Sequence, residues 1–520
     1  MKAHLMFRDR DFGWELEPLA MRPWTVKEMP KVLPHEEVLT QDLELNTLFR
    51  AMAGGDEFLL QAAKLAVLSG LQNDQETILY RQAIFKDCLR NESVVKDIYD
   101  LAVEATSGER RRWLGIASRF PGGILSDAVR LLQVLMDVIA KLKRVADEQA
   151  DKFESEGLTT FFKMLKAELS DDYFAAVKAR LKELEFRDGV LMSAELGAGN
   201  QGVNYVLRQS LQPQPNWWQR FFSWNSSAYT FHLNARDEAG FRALSELRDE
   251  GINLVANAVA QATDHVASFF VMLRAELAFY VGCLNLHRQL DANGSPICFP
   301  VPAQPGARKH ACVELRDACL ALSMKQVVGN GLDAGGKNLF VITGANQGGK
   351  STFLRSIGLA QLMMQCGMFV TAKSFSADLC RSLFTHYKRE EDATMRSGKF
   401  DEELDRMSGI VDALTPDSML LFNESFAATN EREGSEIATQ IVRALLETRV
   451  KIFFVTHIYE FAHGFWEGKM DNAIFLRAER QTDGQRTFKL LPGEPLETSF
   501  GADLYKEIFE SGKEREVLTA

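Results

Sequence analysis

The sequence predicts a multidomain chain: an all-α body interrupted by a small β-containing insertion, then a mixed α/β domain. Three observations predict it. Apolar residues recur at helical spacing through most of 42–289. Between 189 and 232 that period gives way to glycines, prolines and short strand-like runs. From Cys298 onward short buried-strand patterns alternate with helical ones. A chain of 520 residues, 46% hydrophobic and 25% charged, is long and apolar enough to bury a large core. The net charge of −11 excludes a uniformly basic nucleic-acid binder but leaves room for a local basic groove. The seven cysteines are odd in number and form no C-x-x-C pair, so reduced core thiols and a cytoplasmic location are expected. Residues 1–10 contain no apolar run of the signal-peptide kind. The stretch 267–286 is long and apolar but carries Arg274 and Glu276, which favours a buried helix over a membrane span.

Taken in order, residues 1–40 hold Pro18, Pro23, Pro30 and Pro34 and read as an irregular arm. The body occupies 41–186 and 237–297. Leu131, Leu135, Val138, Ile139 and Leu142 form one apolar stripe. Phe161 to Leu184 reads as a single amphipathic helix. Two basic clusters, Arg110-Arg111-Arg112 and Lys141, Lys143, Arg144, fit either a solvated helix face or contact with a phosphate backbone. The insertion, 187–236, offers strand candidates at 190–192, 205–207 and 229–231. Its cluster Trp217-Trp218, Phe221-Phe222 and Trp224 fits a small local core, an exposed sticky patch or a base-stacking platform. A long helix then runs from Asp237 to about Gln289, and Asp291 to Pro296 end it as a turn cluster. In the final domain, 298–520, strands are expected at 339–343, 368–372, 382–386, 419–422, 451–456, 472–476 and 487–491.

The first of those strands leads into Gly344-Ala345-Asn346-Gln347-Gly348-Gly349-Lys350-Ser351, which fits the phosphate-loop pattern G-x-x-x-x-G-K-[ST]. Thr352 to Met364 follow with Phe353, Ile357, Ala360 and Met364 at helical spacing. Strand, glycine turn and helix N-terminus are what a triphosphate requires: backbone N–H groups close on the phosphates and the helix end adds positive potential. Lys350 is the candidate for the β- and γ-phosphates and Ser351 for Mg²⁺. A second buried run, Met419 to Phe422, ends in Asn423-Glu424 about 70 residues later. An acid there suits the polarisation of an attacking water; Asn423, where an aspartate is usual, brings an oxygen to Mg²⁺ without charge. A third run, Lys451 to Val455, ends in Thr456-His457, and a histidine at that edge can sense the γ-phosphate.

These residues resemble the MutS family of ATPases over about residues 306–510, with five elements in order. Residues 344–352 are similar to G-P-N-M-G-G-K-S-T, Asn423-Glu424 to its Asp-Glu, and Val455-Thr456-His457 to its A-T-H. Residues 392–404 resemble the loop D-x-x-x-G-x-S-T-F-x-x-E-M, and Pro492-Gly493 with Ser499-Phe500-Gly501 its closing P-G…S-Y-G. Upstream, Arg81-Gln82-Ala83-Ile84 is similar to an R-Q-x-A-V pattern at the start of the family's helical core. The resemblance implies lever helices, a clamp at the insertion, and an ATPase domain of the P-loop NTPase type at the end. It implies ATP and Mg²⁺ as cofactors, bound by Gly344 to Thr352 with Asn330 near the base, and by Ser351 and Asn423 at the metal. Glu424 and His457 would be catalytic, and Ser397 would reach a partner subunit's γ-phosphate. A homodimer and DNA as partner, without a membrane, are the further implications, in the setting of repair or recombination.

The sequence also departs from the pattern. No F-x-E wedge of the mismatch-reading kind is found ahead of the helical core. The stretch after Glu424 is Ser425-Phe426-Ala427-Ala428-Thr429-Asn430, without the family's arginine, and Val327 stands where a base-stacking aromatic is usual. Structure-selective or non-specific DNA binding is therefore expected. A slowly hydrolysing, nucleotide-gated interaction module and an RNA- or ribosome-binding ATPase are the alternatives.

Overall fold

The computed structural model describes residues 1–12, 33–107, 120–186, 189–208, 231–234, 236–389, 398–481 and 485–497. Arg110–Arg112, the tryptophan cluster at 217–224, Tyr229-Thr230, Ser397 and Ser499–Gly501 lie outside them. The helical part consists of α1 (Glu36–Asp42), α2 (Leu45–Ala53), α3 (Glu57–Ser69), α4 (Gln75–Arg90), α5 (Glu92–Thr106), α6 (Pro121–Gln149), α7 (Glu156–Glu168) and α8 (Asp171–Glu183). It closes with α9 (Glu238–Ala292). Local chemistry sets the ends. Asp56 accepts the Phe58 and Leu59 N–H groups at the start of α3, and Asp74 accepts that of Thr77 at the start of α4. The single helix expected from Phe161 to Leu184 is two. Ser170 caps a new start by accepting the Tyr173 N–H, and Asp171-Asp172 favour a fresh N-terminus there.

Helix α9 has 55 residues and, at 1.5 Å per residue, is about 80 Å long. Its first turns are open, with Phe241, Leu244, Leu247 and Leu254 exposed, and carry the hairpin β1 (Met192–Leu196) and β2 (Gly202–Leu207). Its most apolar window is 83% buried among α2, α3, α5 and α6, as in the core helix of a folded body. Phe231, expected in a third insertion strand, is in irregular structure.

Residues 1–12 are irregular, as expected of the arm, but they are not a free arm. Leu5, Met6 and Phe12 are buried. The Leu5 N–H donates to Glu276 at 2.5 Å, and the Tyr280 hydroxyl donates to the Leu5 carbonyl at 2.6 Å. Burial pushes the Glu276 carboxyl up to about 7. Arg81, fully buried on α4, donates from Nε to the Met6 carbonyl at 2.9 Å.

The remaining elements are β3 (Val301–Ala303), β4 (His310–Leu315), α10 (Ala318–Ser323), β5 (Asn330–Asp333), β6 (Leu339–Gly344), α11 (Lys350–Gln365), β7 (Ser374–Asp378) and β8 (Leu383–Tyr387). After these come α12 (Lys399–Ala413), β9 (Met419–Asn423), α13 (Glu431–Glu447), β10 (Lys451–Val455), α14 (Tyr459–Glu467), β11 (Ala473–Arg480) and β12 (Arg486–Pro492). One sheet runs β12-β11-β6-β10-β9-β8, parallel except for β12. Alternate residues of its strands enter two different cores. Phe340, Ile342, Leu421, Phe453 and Val455 face the core shared with the helical body. Leu339, Val341, Leu420, Phe422, Ile452 and Phe454 face α13 and α14. Burial on both faces explains why these strands are continuous apolar runs. A second sheet, β3-β7-β4-β5, is formed largely by segments without a strand signal in the sequence. The strand expected at 368–372 is a buried loop, bonded to its neighbours by the Cys298–Val370 bridge and by the Thr371 hydroxyl on the Arg316 carbonyl; the strand begins at Ser374. Met368, Phe369 and Val370 are apolar because they are buried, a state composition does not separate from a strand.

The C-terminal end of α11 is locked to the helical body. Arg81 Nη1 donates to the Cys366 carbonyl at 3.2 Å, and Asn73 Nδ2 to the Gln365 carbonyl at 2.9 Å. Gly70 lies so close that a methyl group there would sit 2.9 Å from the Cys366 backbone nitrogen. Gly70→Ala should therefore part this contact and lower stability by about 1–3 kcal/mol, read as a reduced urea midpoint at unchanged slope.

Candidate phosphate-binding site

In-register pairing of β6, β10 and β9 builds the site. Val455 pairs with Ile342 on one side and Asn423 on the other. The Thr456 N–H then donates to the Ile342 carbonyl, and the Glu424 N–H to the Val455 carbonyl. The residues that follow these strands emerge at one edge: the loop 344–351, Glu424 and His457.

The loop needs its glycines. Gly344 (φ 106°) and Gly349 (φ 88°) are in the left-handed region, and a methyl group on Gly344 would sit 2.8 Å from the Ala478 nitrogen of β11. Gly348 is equally tight: a methyl group there would sit 2.9 Å from the Ala345 carbonyl oxygen. Ala345 is buried, whereas Asn346 and Gln347 are exposed at the tip. Arg486 Nε, on β12, donates to the Asn346 carbonyl at 2.6 Å. Lys350 and Ser351 open α11, and Thr352 is half-buried behind them. Lys350 is buried and donates to the Gly344 and Ala345 carbonyls, each at 2.9 Å. An ammonium has three protons, so one remains for a ligand oxygen. Desolvation pulls this lysine down to about 8, against the opposing pull of Glu424.

Ser351 Oγ donates to Asn423 Oδ1 at 2.9 Å. Both are hard oxygen donors, the kind Mg²⁺ takes alongside phosphate oxygens and water. Both are neutral, so a cation held there would need its charge balanced by the ligand it shares. His457 Nε2 lies 2.8 Å from Glu424 Oε1. This hydrogen bond holds the Glu424 carboxyl below its ordinary value, so it stands ionised at neutral pH and His457 is the donor. Glu424 has φ 55°, unusual for a residue other than glycine.

The amide of Asn330 is committed on both sides to β12: Nδ2 donates to the Phe488 carbonyl at 3.1 Å and Oδ1 accepts the Leu490 N–H at 2.8 Å. It fixes β12 beside the loop. Val327 is buried. Phe488, 47% exposed, is an aromatic residue next to the loop: its Cβ and carbonyl oxygen lie 3.5 Å from where a methyl group on Gly349 would sit. Sequence reasoning missed Phe488 and Arg486, because their strand pairs antiparallel and nothing local marks it as reaching the loop. It also missed a buried network behind Glu424. His386 Nδ1 lies 2.8 Å from Ser425 Oγ, and Glu403 Oε1 accepts the Phe426 N–H at 2.6 Å. Glu403 falls within the signature-like stretch 392–404, which gives its place but not its contact; His386 has no sequence signal. Ser397 lies outside the described residues.

Comparison with known families matches two family models to the chain: the MutS2 N-terminal domain over residues 73–293 and MutS domain V over residues 340–508. The DNA mismatch repair protein MutS of Leptospira interrogans is 33% identical over 170 residues, 30% of this chain and 20% of that protein. The human MutS protein homolog 4 is 32% identical over 139 residues, 27% of this chain and 15% of its own. The DNA mismatch repair protein spellchecker 1 of Drosophila melanogaster is 25% identical over 442 residues, 84% of this chain and 44% of its own. The chain thus spans less than half the length of these relatives. Two family models in the expected order, together with these relatives, lead to one conclusion: the chain belongs to the MutS family.

Proposed function

We propose that this protein binds ATP with Mg²⁺, hydrolyses it, and uses the cycle to drive DNA binding, in repair or recombination. One observation carries the reading: Lys350, the Ser351–Asn423 pair and the Glu424–His457 pair stand together at the ends of three adjacent parallel strands. In this reading Lys350 and the amides of residues 344–350 hold the phosphates, and Ser351 and Asn423 hold Mg²⁺. The ion, when bound, neutralises charge on the phosphate oxygens. Glu424 orients and polarises the attacking water, and His457, which holds Glu424, reports on the γ-phosphate side. Phe488 stacks on the base in place of the aromatic absent at Val327. Residues 41–186 with 237–297 are the levers, 187–236 the clamp and 298–520 the ATPase domain of a cytoplasmic homodimer. Ser397 would complete the partner's site. The relatives named for mismatch repair support a DNA substrate.

Three measurements test this. Glu424→Gln should lower the ATPase rate by about 100-fold or more; equal rates for the two proteins would remove the catalytic reading in favour of a nucleotide-gated module. A salt-dependent competition of duplex DNA, branched DNA and RNA, with and without ATP, decides the partner; no DNA binding below ~50 mM salt sinks the DNA assignment. Phe488→Ala should raise the Kd for ATP about tenfold at unchanged kcat, the loss of one stacking contact.

The lysine gives a pH dependence. A bound polyphosphate favours the charged ammonium, so the complex takes up a proton wherever free Lys350 is neutral. ATP affinity should hold below about pH 8 and weaken as pH rises through that value, by up to roughly tenfold per unit. Titration calorimetry between about pH 7 and 9.5 reads this as proton uptake that grows with pH.

A further inference from the structure

The turn that presents Glu424 is held in an uncommon shape. Glu424 (φ 55°) and Phe426 (φ 64°), neither a glycine, both occupy the left-handed region. Three bonds pin the turn. The Glu424 N–H donates to the Val455 carbonyl at 2.9 Å. The Ser425 hydroxyl donates to the His386 carbonyl at 2.5 Å. The Phe426 N–H, pointed away from any strand by its φ, donates to the Glu403 carboxylate at 2.6 Å. The Phe426 ring stacks on His386 at 5.4 Å, and the His386 Nε2 donates to the Glu403 carbonyl at 3.1 Å. Glu403 is 4% exposed. It stands on the second turn of α12, the helix that begins directly after 390–397.

We propose that Glu403 is a positioning residue for Glu424: its carboxylate fixes the left-handed turn at 424–426 and so ties the Glu424 side chain to the seating of α12. The inference rests on the ATPase reading above. Without an acceptor at Glu403, the buried Phe426 N–H has no partner in this turn, and the turn gains by relaxing toward ordinary φ values. Glu424 then swings from His457 and from the edge where a water would be held. Among the described residues none of these bonds reaches Lys350 or the loop, and Glu424 acts on Lys350 through charge alone, so nucleotide affinity changes little when the turn relaxes.

The test measures kcat for ATP hydrolysis, ADP affinity by calorimetry and thermal stability for the wild type, Glu403→Ala, Glu403→Gln and Glu424→Gln. Glu403→Ala should lose about 100-fold in kcat while ADP affinity stays within about threefold, the signature of a misplaced group. Glu403→Gln should recover most of the rate, since its amide oxygen accepts the same N–H. If Glu403→Ala fails to fold, Glu403→Asp, one methylene shorter, must show the same split. Loss of ADP affinity in step with kcat, or Glu403→Gln as impaired as Glu403→Ala, overturns the positioning role. A Glu424→Gln rate equal to the wild type overturns the ATPase reading itself, which separates the two failures.

Discussion

Everything at the candidate site depends on the backbone ladder that joins β6, β10 and β9 in register. Each of these strands places a residue of different chemistry at or just beyond its end: a glycine turn after Thr343, an acid after Asn423, a histidine after Thr456. The ladder sets their spacing before any side chain contributes. Because side chains alternate between faces, a slip of one residue in β10 would send Val455 and Phe453 to the wrong core and carry His457 off the edge, at a cost in both cores. Register, and with it the site, is therefore enforced by the phenylalanines and aliphatic residues of the strands.

The same sheet connects the site to the helical body. Helix α11 starts at the glycine loop 344–351 and ends against Asn73, Arg81 and Gly70. Arg81 also grips the Met6 carbonyl, so the N-terminal segment, α4 and the far end of α11 share one buried guanidinium. Burying such a group is expensive unless its protons are met by acceptors; backbone carbonyls of two distant segments meet Nε and Nη1, while Nη2 has no hydrogen-bond partner among the described residues. A packed helix transmits displacement along its length. Helix α11 is thus one packed connection from the loop to α4.

The electrostatics of the site are unusual in one respect. Asn423 supplies an oxygen without charge, so Glu424 is the acid that acts on Lys350 in a setting that disfavours the ammonium. Under the proposed ATPase reading such a site would favour the nucleotide–metal complex over either component alone, with Glu424 already in the ionised state that orienting a water requires.

The long-helix body, the glycine loop with its strand and helix, and the two further strands ending at Asn423-Glu424 and His457 are all legible in the order of residues alone. Each is local: a helical period, a glycine pattern of fixed spacing, and apolar runs whose ends carry the chemistry. What lies between them took shape only in three dimensions. The second sheet, the burial of residues 1–12, the commitment of Asn330 to β12, the approach of Phe488 to the loop and the grip of Glu403 on the turn after Glu424 are contacts between segments separated along the chain. Such contacts depend on register and packing, which no single window of residues contains.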